Sequence, residues 1–145
     1  MLLLDTNILS ELRRPHKANL SVLQWASQVR VQDMYISVIS VLEIEMGILR
    51  VQRHDAVQSK ILLDWLEQQI LPQFQGRILD VNVTIARRCA ALHIPNPQAE
   101  RDALIAATAL SHNMTLVTRN TKDFLTTGVS LFNPFDGVPI NHKSP

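Results

Sequence analysis

One cysteine, Cys89, stands in a chain of 145 residues. That excludes an internal disulfide framework and a cysteine-rich zinc site. The five histidines, His16, His54, His93, His112 and His142, form no i, i+4 pair of the kind that binds metal along a helix. Glycine (4) and proline (7) are few and 46% of the residues are hydrophobic, a composition that folds rather than stays disordered. Aromatics number seven, too few for an extended base-stacking platform. There is no excess of charge: 14 Lys and Arg against 13 Asp and Glu leave a net charge of +1. A basic surface, if one exists, is therefore local. No apolar run approaches the roughly 18–20 residues of a membrane span. The opening Met1-Leu2-Leu3-Leu4-Asp5 has no basic stretch before its short apolar run, so no secretory signal is expected there. These absences leave a soluble, intracellular, cytoplasmic single domain as the expectation.

Short apolar runs alternate with longer helical patterns. Strands are expected at Leu2–Leu4, Tyr35–Ser37, Ile78–Val81, Thr115–Thr118 and Val129–Phe132. Val22, Leu23, Trp25, Ala26 and Val29 recur at helical spacing. Helices are also expected from Val38 to Leu49, over Ile61–Ile70 with Pro72 as its stop, from Ile85 to Leu92, and from Ala99 to Ser111. Strands separated by helices imply crossover connections, hence a mainly parallel sheet with helices on both faces. The expected fold is α/β, in three α/β/α layers. Residues 1–133 form the domain, and 134–145 a C-terminal surface extension.

Acids recur where strands stop or helices start. Leu2-Leu3-Leu4 runs into Asp5, the strand ending at Ser37 leads into a helix carrying Glu43, a helix opens with Arg101-Asp102, and Thr118 leads to Asp123. Ligands of open α/β sheets bind outside the carboxyl ends of strands. Carboxylates converging there repel one another unless a cation neutralises them, and oxygen donors without Cys or His suit Mg²⁺ or Mn²⁺. Each acid also has a plainer reading. Asp102 could favour its own helix dipole and Asp123 could cap a turn. Glu45 competes with Glu43, since residues two apart point about 200° apart on a helix. Asp5, ending a buried strand, has the fewest alternatives.

Together these segments resemble the PIN-domain ribonucleases, most closely the VapC/FitB-type toxins of bacterial toxin–antitoxin pairs. Leu3-Leu4-Asp5-Thr6-Asn7-Ile8-Leu9-Ser10-Glu11-Leu12 resembles the first motif of that family. Ile36-Ser37 with Glu43-Ile44-Glu45-Met46-Gly47 resembles the second, in which the acid four residues before the glycine selects Glu43. Arg101-Asp102-Ala103-Leu104-Ile105-Ala106-Ala107-Thr108-Ala109 resembles the third, and Leu116-Val117-Thr118-Arg119-Asn120-Thr121-Lys122-Asp123-Phe124 the fourth. Asn133-Pro134-Phe135 resembles a tail these toxins often carry.

The resemblance implies that Asp5, Glu43, Asp102 and Asp123 are the catalytic acids that bind Mg²⁺ or Mn²⁺. Many relatives have an acid where this chain has Asn120, so Asp123 and Asn120 compete for the fourth position. Thr6, Asn7, Thr118 and Asn120 are expected to orient the carboxylates. The implied activity is a metal-dependent endoribonuclease, hydrolysing phosphodiesters of a structured RNA such as tRNA or rRNA by metal-activated water and leaving a 5′ phosphate. Arg13, Arg14, Lys17, Arg119 and Lys122 are candidate RNA contacts, each with an ordinary solvated charge as its plainer reading. The resemblance further implies a cognate antitoxin, operator DNA bound only through that antitoxin, and a homodimer. The apolar helices Leu20–Val31 and Val38–Leu49 are candidate docking surfaces, although most of their apolar residues fit an ordinary core. Competing readings are a PIN-like scaffold with weakened catalysis, a DNA-directed nuclease, and a haloacid-dehalogenase-type phosphatase. The last requires an acid where Asn7 stands.

Overall fold

The computed structural model describes residues 1–136. Five strands form one sheet: β1 (Leu2–Leu4), β2 (Met34–Ser37), β3 (Ile78–Leu79), β4 (Thr115–Val117) and β5 (Leu131–Phe132). Their order is β3-β2-β1-β4-β5 and every pairing is parallel. The chain therefore builds outward from β1 to one edge, then returns to add β4 and β5 on the other side. The reversal lies between β1 and β4, held in register by Leu2 opposite Thr115 and Leu4 opposite Val117.

The α/β/α expectation agrees with this architecture, and side-chain alternation explains it. Leu2, Leu4, Met34, Ile36 and Val117 face one core, with Ile8, Trp25, Ile44, Ile48 and Trp65. Leu3 and Leu116 face the other, with Ile39, Ile105, Ala106 and Ala109. Strands covered on both faces carry no polar side, which is why they read as uninterrupted apolar runs. Seven helices supply the covers: α1 (Thr6–Leu12), α2 (Leu20–Gln28), α3 (Val38–Gln52), α4 (Ala56–Trp65), α5 (Leu71–Gln73), α6 (Val83–Leu92) and α7 (Glu100–Ser111). Between α6 and α7, Ile85, Cys89, Ala103 and Ala107 form a small satellite core.

Several boundaries differ from the sequence reading. Leu66–Ile70 is a π-helical segment joining α4 to α5, so the helix passes through Pro72 instead of stopping there. Pro72 stands in the first turn of α5, where its missing N–H costs little. The strands at Ile78 and Leu131 are two residues long, shorter than the runs that announce them. Helix α1, a seven-residue segment of mixed polarity, was not expected as a helix. The chain after β5 does not leave the surface at once. Pro134–Asp136 makes a 3₁₀ turn with Pro134 buried, and Phe135 packs against the first core. The rest of the expected extension lies outside the described residues. On the two expected docking helices, Val22, Trp25, Ile39, Ile44 and Ile48 are core, while Leu20, Leu42 and Leu49 are exposed. No described helix is long and apolar enough to cross a membrane.

Candidate active site

A cleft of about 490 Å³ opens at the carboxyl ends of β1 and β4. Asp5, Thr6, Asn7, Glu43, Asp102 and Asn120 line it, with Ser10, Glu11, Met46, Arg50 and Arg101. This is the topological reversal point of the sheet, where the loops after neighbouring strands diverge and leave a crevice.

Asp5 leaves β1 and caps α1. It is 6% exposed. Its Oδ1 accepts the Thr6 N–H at 2.8 Å, and its Oδ2 accepts the Thr118 hydroxyl at 2.7 Å and Asn7 Nδ2 at 3.4 Å. Thr118 is fully buried at the end of β4. Its oxygen also accepts the Asn120 N–H at 3.0 Å and Asn7 Nδ2 at 3.3 Å. Asn7 completes the frame by accepting the Arg119 N–H at 3.2 Å. The loop after β4 is thus tied to the start of α1 through polar groups that all converge on one carboxylate.

Glu43 reaches the cleft from α3, whose N-cap is Ser37 at the end of β2. Thr6 Oγ1 donates to Glu43 Oε1 at 2.6 Å and lies 2.8 Å from the buried Ser40 hydroxyl. Arg101 Nε donates to the other oxygen, Oε2, at 3.0 Å. Glu43 lines the cleft and Glu45 does not.

Asp102 stands in the first turn of α7. It does not cap the helix: the N-cap is Ala99, without a side-chain cap, and the Asp102 carboxylate makes no hydrogen bond among the described residues. A helix N-terminus ordinarily favours a carboxylate. Here burial, then the charges of Asp5, Asp123 and Glu43, outweigh that dipole and the nearby Arg101. They push Asp102 up to about 6. Burial also raises Asp5, against the Thr118 and Thr6 bonds that hold it down; Glu43 and Asp123 add to the rise. The two raised carboxyls, Asp5 and Asp102, mark a cleft with an excess of negative charge.

The fourth position divides between two residues. Asn120 lines the cleft. Asp123 does not; it lies exposed in the 3₁₀ turn Thr121–Thr127, in a smaller hollow of about 380 Å³ shared with Asn120 and Lys122. Its charge still acts on both Asp5 and Asp102.

Of the expected RNA contacts, none lines the cleft. Arg13 lies over the Trp65 ring at 5.9 Å and Arg119 over Phe135 at 4.5 Å. Arg119 and Lys122 border the hollow beside the cleft, whereas Arg14 and Lys17 are exposed beyond α1. Sequence reading missed Ser40, Arg50 and Arg101 as parts of the site. Ser40 and Arg50 are three residues before and seven after Glu43, a spacing that puts all three near one helical face. That spacing was available as a signal.

Among the described residues, the one set of three donors whose ligand atoms all lie within 4.8 Å of one another is Cys89, His93 and Glu100, away from the cleft; the carboxylates of the cleft stand wider apart. The histidine of that set is wired against metal binding. His93 Nδ1 accepts the Gln98 N–H at 3.0 Å, which places the ring proton on Nε2, the nitrogen facing Cys89 and Glu100. Metal-binding histidines instead donate from the second nitrogen.

A family model for the PIN domain matches residues 2–128. The chain is 38% identical to Toxin FitB of Neisseria gonorrhoeae (strain ATCC 700825 / FA 1090), over 93% of this chain and 99% of that one. It is 30% identical to VapC ribonuclease Y4jK of Sinorhizobium fredii (strain NBRC 101917 / NGR234), over 94% and 99%. The solved structure of FitAB bound to an IR36 DNA fragment matches 98% of this chain and 100% of that one, with a TM-score of 0.83 and 35% identity. With the five-stranded parallel sheet and the acidic cleft at its reversal point, these matches show that the chain belongs to the PIN domain family.

Proposed function

We propose that the protein is the endoribonuclease toxin of a toxin–antitoxin pair, using Mg²⁺ or Mn²⁺ to hydrolyse RNA phosphodiester bonds, a structured RNA such as tRNA or rRNA being the expected substrate. The observation that carries this reading is the convergence of Asp5, Glu43 and Asp102 in one cleft. Their donor chemistry fits a hard divalent cation: carboxylate oxygens, no sulfur, no imidazole, and too much negative charge for the cleft to hold alone. Asp5, Glu43 and Asp102 would hold it, with Asp123 or Asn120 completing the set.

When bound, the cation neutralises the acids, activates water and stabilises charge on the phosphate oxygens. The protein's own groups orient and preorganise. Thr118, Asn7 and the Thr6 N–H fix both oxygens of Asp5, while Thr6 and Arg101 fix those of Glu43. Water attacks phosphorus in line, and its proton passes to a base. The P–O3′ bond breaks, the leaving 3′ oxygen takes up a proton, and the product keeps a 5′ phosphate. No ribose 2′-OH and no histidine is required.

The relatives also support a partner. FitB occurs in a complex, FitAB, solved on DNA, and a structural neighbour at 28% identity is described as a toxin–antitoxin complex from Klebsiella pneumoniae. A cognate antitoxin, operator DNA contacted through it, and a homodimer in the cytoplasm complete the proposal. The test incubates purified protein with total bacterial RNA, with Mg²⁺ or with EDTA, beside Asp5→Asn. Discrete 5′-phosphorylated fragments are expected from the wild type with metal only. Equal cleavage by Asp5→Asn would overturn the assignment.

A further inference from the structure

We propose that Arg50, with Arg53 beyond it, is the residue that grips the RNA backbone next to the scissile phosphate, so that the substrate runs along α3 and not past α1. The inference rests on the ribonuclease reading above and names the contact that reading lacks. A cleft lined by Asp5, Glu11, Glu43 and Asp102 repels a polyanion, so binding requires cations at its mouth. Two line it, Arg101 and Arg50. Arg101 is already engaged, donating to Glu43 Oε2 at 3.0 Å with Met46 Sδ beside it. Arg50 is exposed and makes no hydrogen bond or ion pair among the described residues.

Its position follows from helical geometry. Glu43, Met46 and Arg50 stand at i, i+3 and i+7 on α3, and all three line the cleft. Seven residues at 1.5 Å rise put Arg50 about 10 Å along the axis from Glu43. A phosphate held there lies a nucleotide or two from one placed at the carboxylates. Arg53 extends the same line: Met46, Leu49, Arg50 and Arg53 border a shallow depression that continues from the cleft. Met46 and Leu49 make its floor apolar, suited to a ribose or base edge beneath the phosphates. By contrast Arg13 and Arg119 are committed to aromatic rings. Arginine rather than lysine at position 50 suits a bidentate phosphate contact.

The test measures binding of unfractionated bacterial tRNA by the cleavage-deficient Asp102→Asn protein over a range of salt concentrations. Adding Arg50→Ala is expected to weaken binding roughly tenfold, the loss of one charge-assisted contact. The slope of log Kd against log salt should fall by about 0.7–0.9, one phosphate contact. Arg50→Lys should keep most of the slope, and Arg14→Ala should change neither quantity. Thermal melts of the variants, expected to coincide, separate a lost contact from lost folding. An unchanged slope in Arg50→Ala, or an equal fall in Arg14→Ala, would overturn this proposal alone. Failure of the Asp102→Asn parent to bind tRNA at all would overturn it together with the tRNA substrate.

Discussion

Replacing Asp102 by asparagine should make the metal-free protein more stable while removing its affinity for divalent cations. Asp102 stands in the fold at about 6 against an ordinary 3.8, chiefly through burial and then the charges of Asp5, Asp123 and Glu43. A displacement of that size corresponds to roughly 3 kcal/mol at 1.36 kcal/mol per pH unit. Solvent reaching the exposed part of the group reduces this to about 1–2 kcal/mol. Because the folded value is raised, the native state holds its proton more tightly than the unfolded chain does. Stability is then fully favoured below pH 4 and declines as pH rises through 6. Asparagine removes that decline. At pH 8 in EDTA, Asp102→Asn should melt higher by about 2–8 °C, given about 2–4 °C per kcal/mol at this size. At pH 4 the two melting curves should nearly coincide. Adding Mn²⁺ at 100 times its Kd should return about 2.7 kcal/mol to the wild type and almost nothing to the variant. Differential scanning calorimetry at both pH values decides the matter. A variant less stable than wild type at pH 8 in EDTA would refute the reasoning, because it would mean the carboxylate is held by interactions stronger than the repulsion it suffers.

Thr118→Val removes the 2.7 Å bond to Asp5 and leaves its buried Oδ2 only the longer Asn7 contact; a loss of about 1–3 kcal/mol is expected in urea unfolding, greater at pH 8 than at pH 5. The same variant should bind Mn²⁺ about 10–100-fold more weakly by calorimetric titration. Asp123→Asn should lower Mn²⁺ affinity less than Asp102→Asn does, since Asp123 acts on the cleft by charge from outside its lining. Ending the chain after Asn133 exposes the site of Pro134 and removes the Phe135 contact; about 1–3 kcal/mol of stability should be lost, read as a lower urea midpoint.

What the sequence reveals divides along physical lines. The sheet was legible because a strand buried on both faces has no polar alternative: Leu2–Leu4 and Thr115–Val117 are announced by composition alone. Helix α1 was not, because Thr6–Leu12 is short and its buried residues are Ile8 and Leu9 only. Its signal in the sequence is the cap, Asp5, whose place at a strand end points equally to chemistry. The two roles coincide: one oxygen of Asp5 caps the helix while the other is turned by Thr118. Asp5 and Asp102 stood out because one ends a strand and the other opens a helix at the same rim, whereas Glu43, inside α3, was separated from Glu45 only by the motif it resembles. Arg50 and Arg101 could not be ranked that way. Whether an arginine points into a cleft, lies on a tryptophan or pairs with a glutamate depends on packing that no local pattern encodes. Arg13 was the candidate and Arg50 was not, yet Arg50 lines the cleft while Arg13 lies over Trp65 outside it.

The raised carboxyls also bear on how such a site persists in a fold of marginal stability. An uncompensated cluster of acids at the sheet's reversal point works against folding at neutral pH, and the domain surrounds it with donors that offset part of this. Asp5 receives three hydrogen bonds, and Glu43 receives Thr6 and Arg101. Asp102 receives none among the described residues, and it is the one driven up to about 6. A carboxylate left without donors is the one with most to gain from a cation. The uneven distribution of hydrogen bonds therefore makes Asp102 the residue whose ionisation and cation binding are most tightly linked. Cation uptake near pH 6 should release protons, and Asp102→Asn should abolish most of that release in unbuffered titration. Release unchanged in the variant would place the linkage on Asp5 instead, despite its three donors.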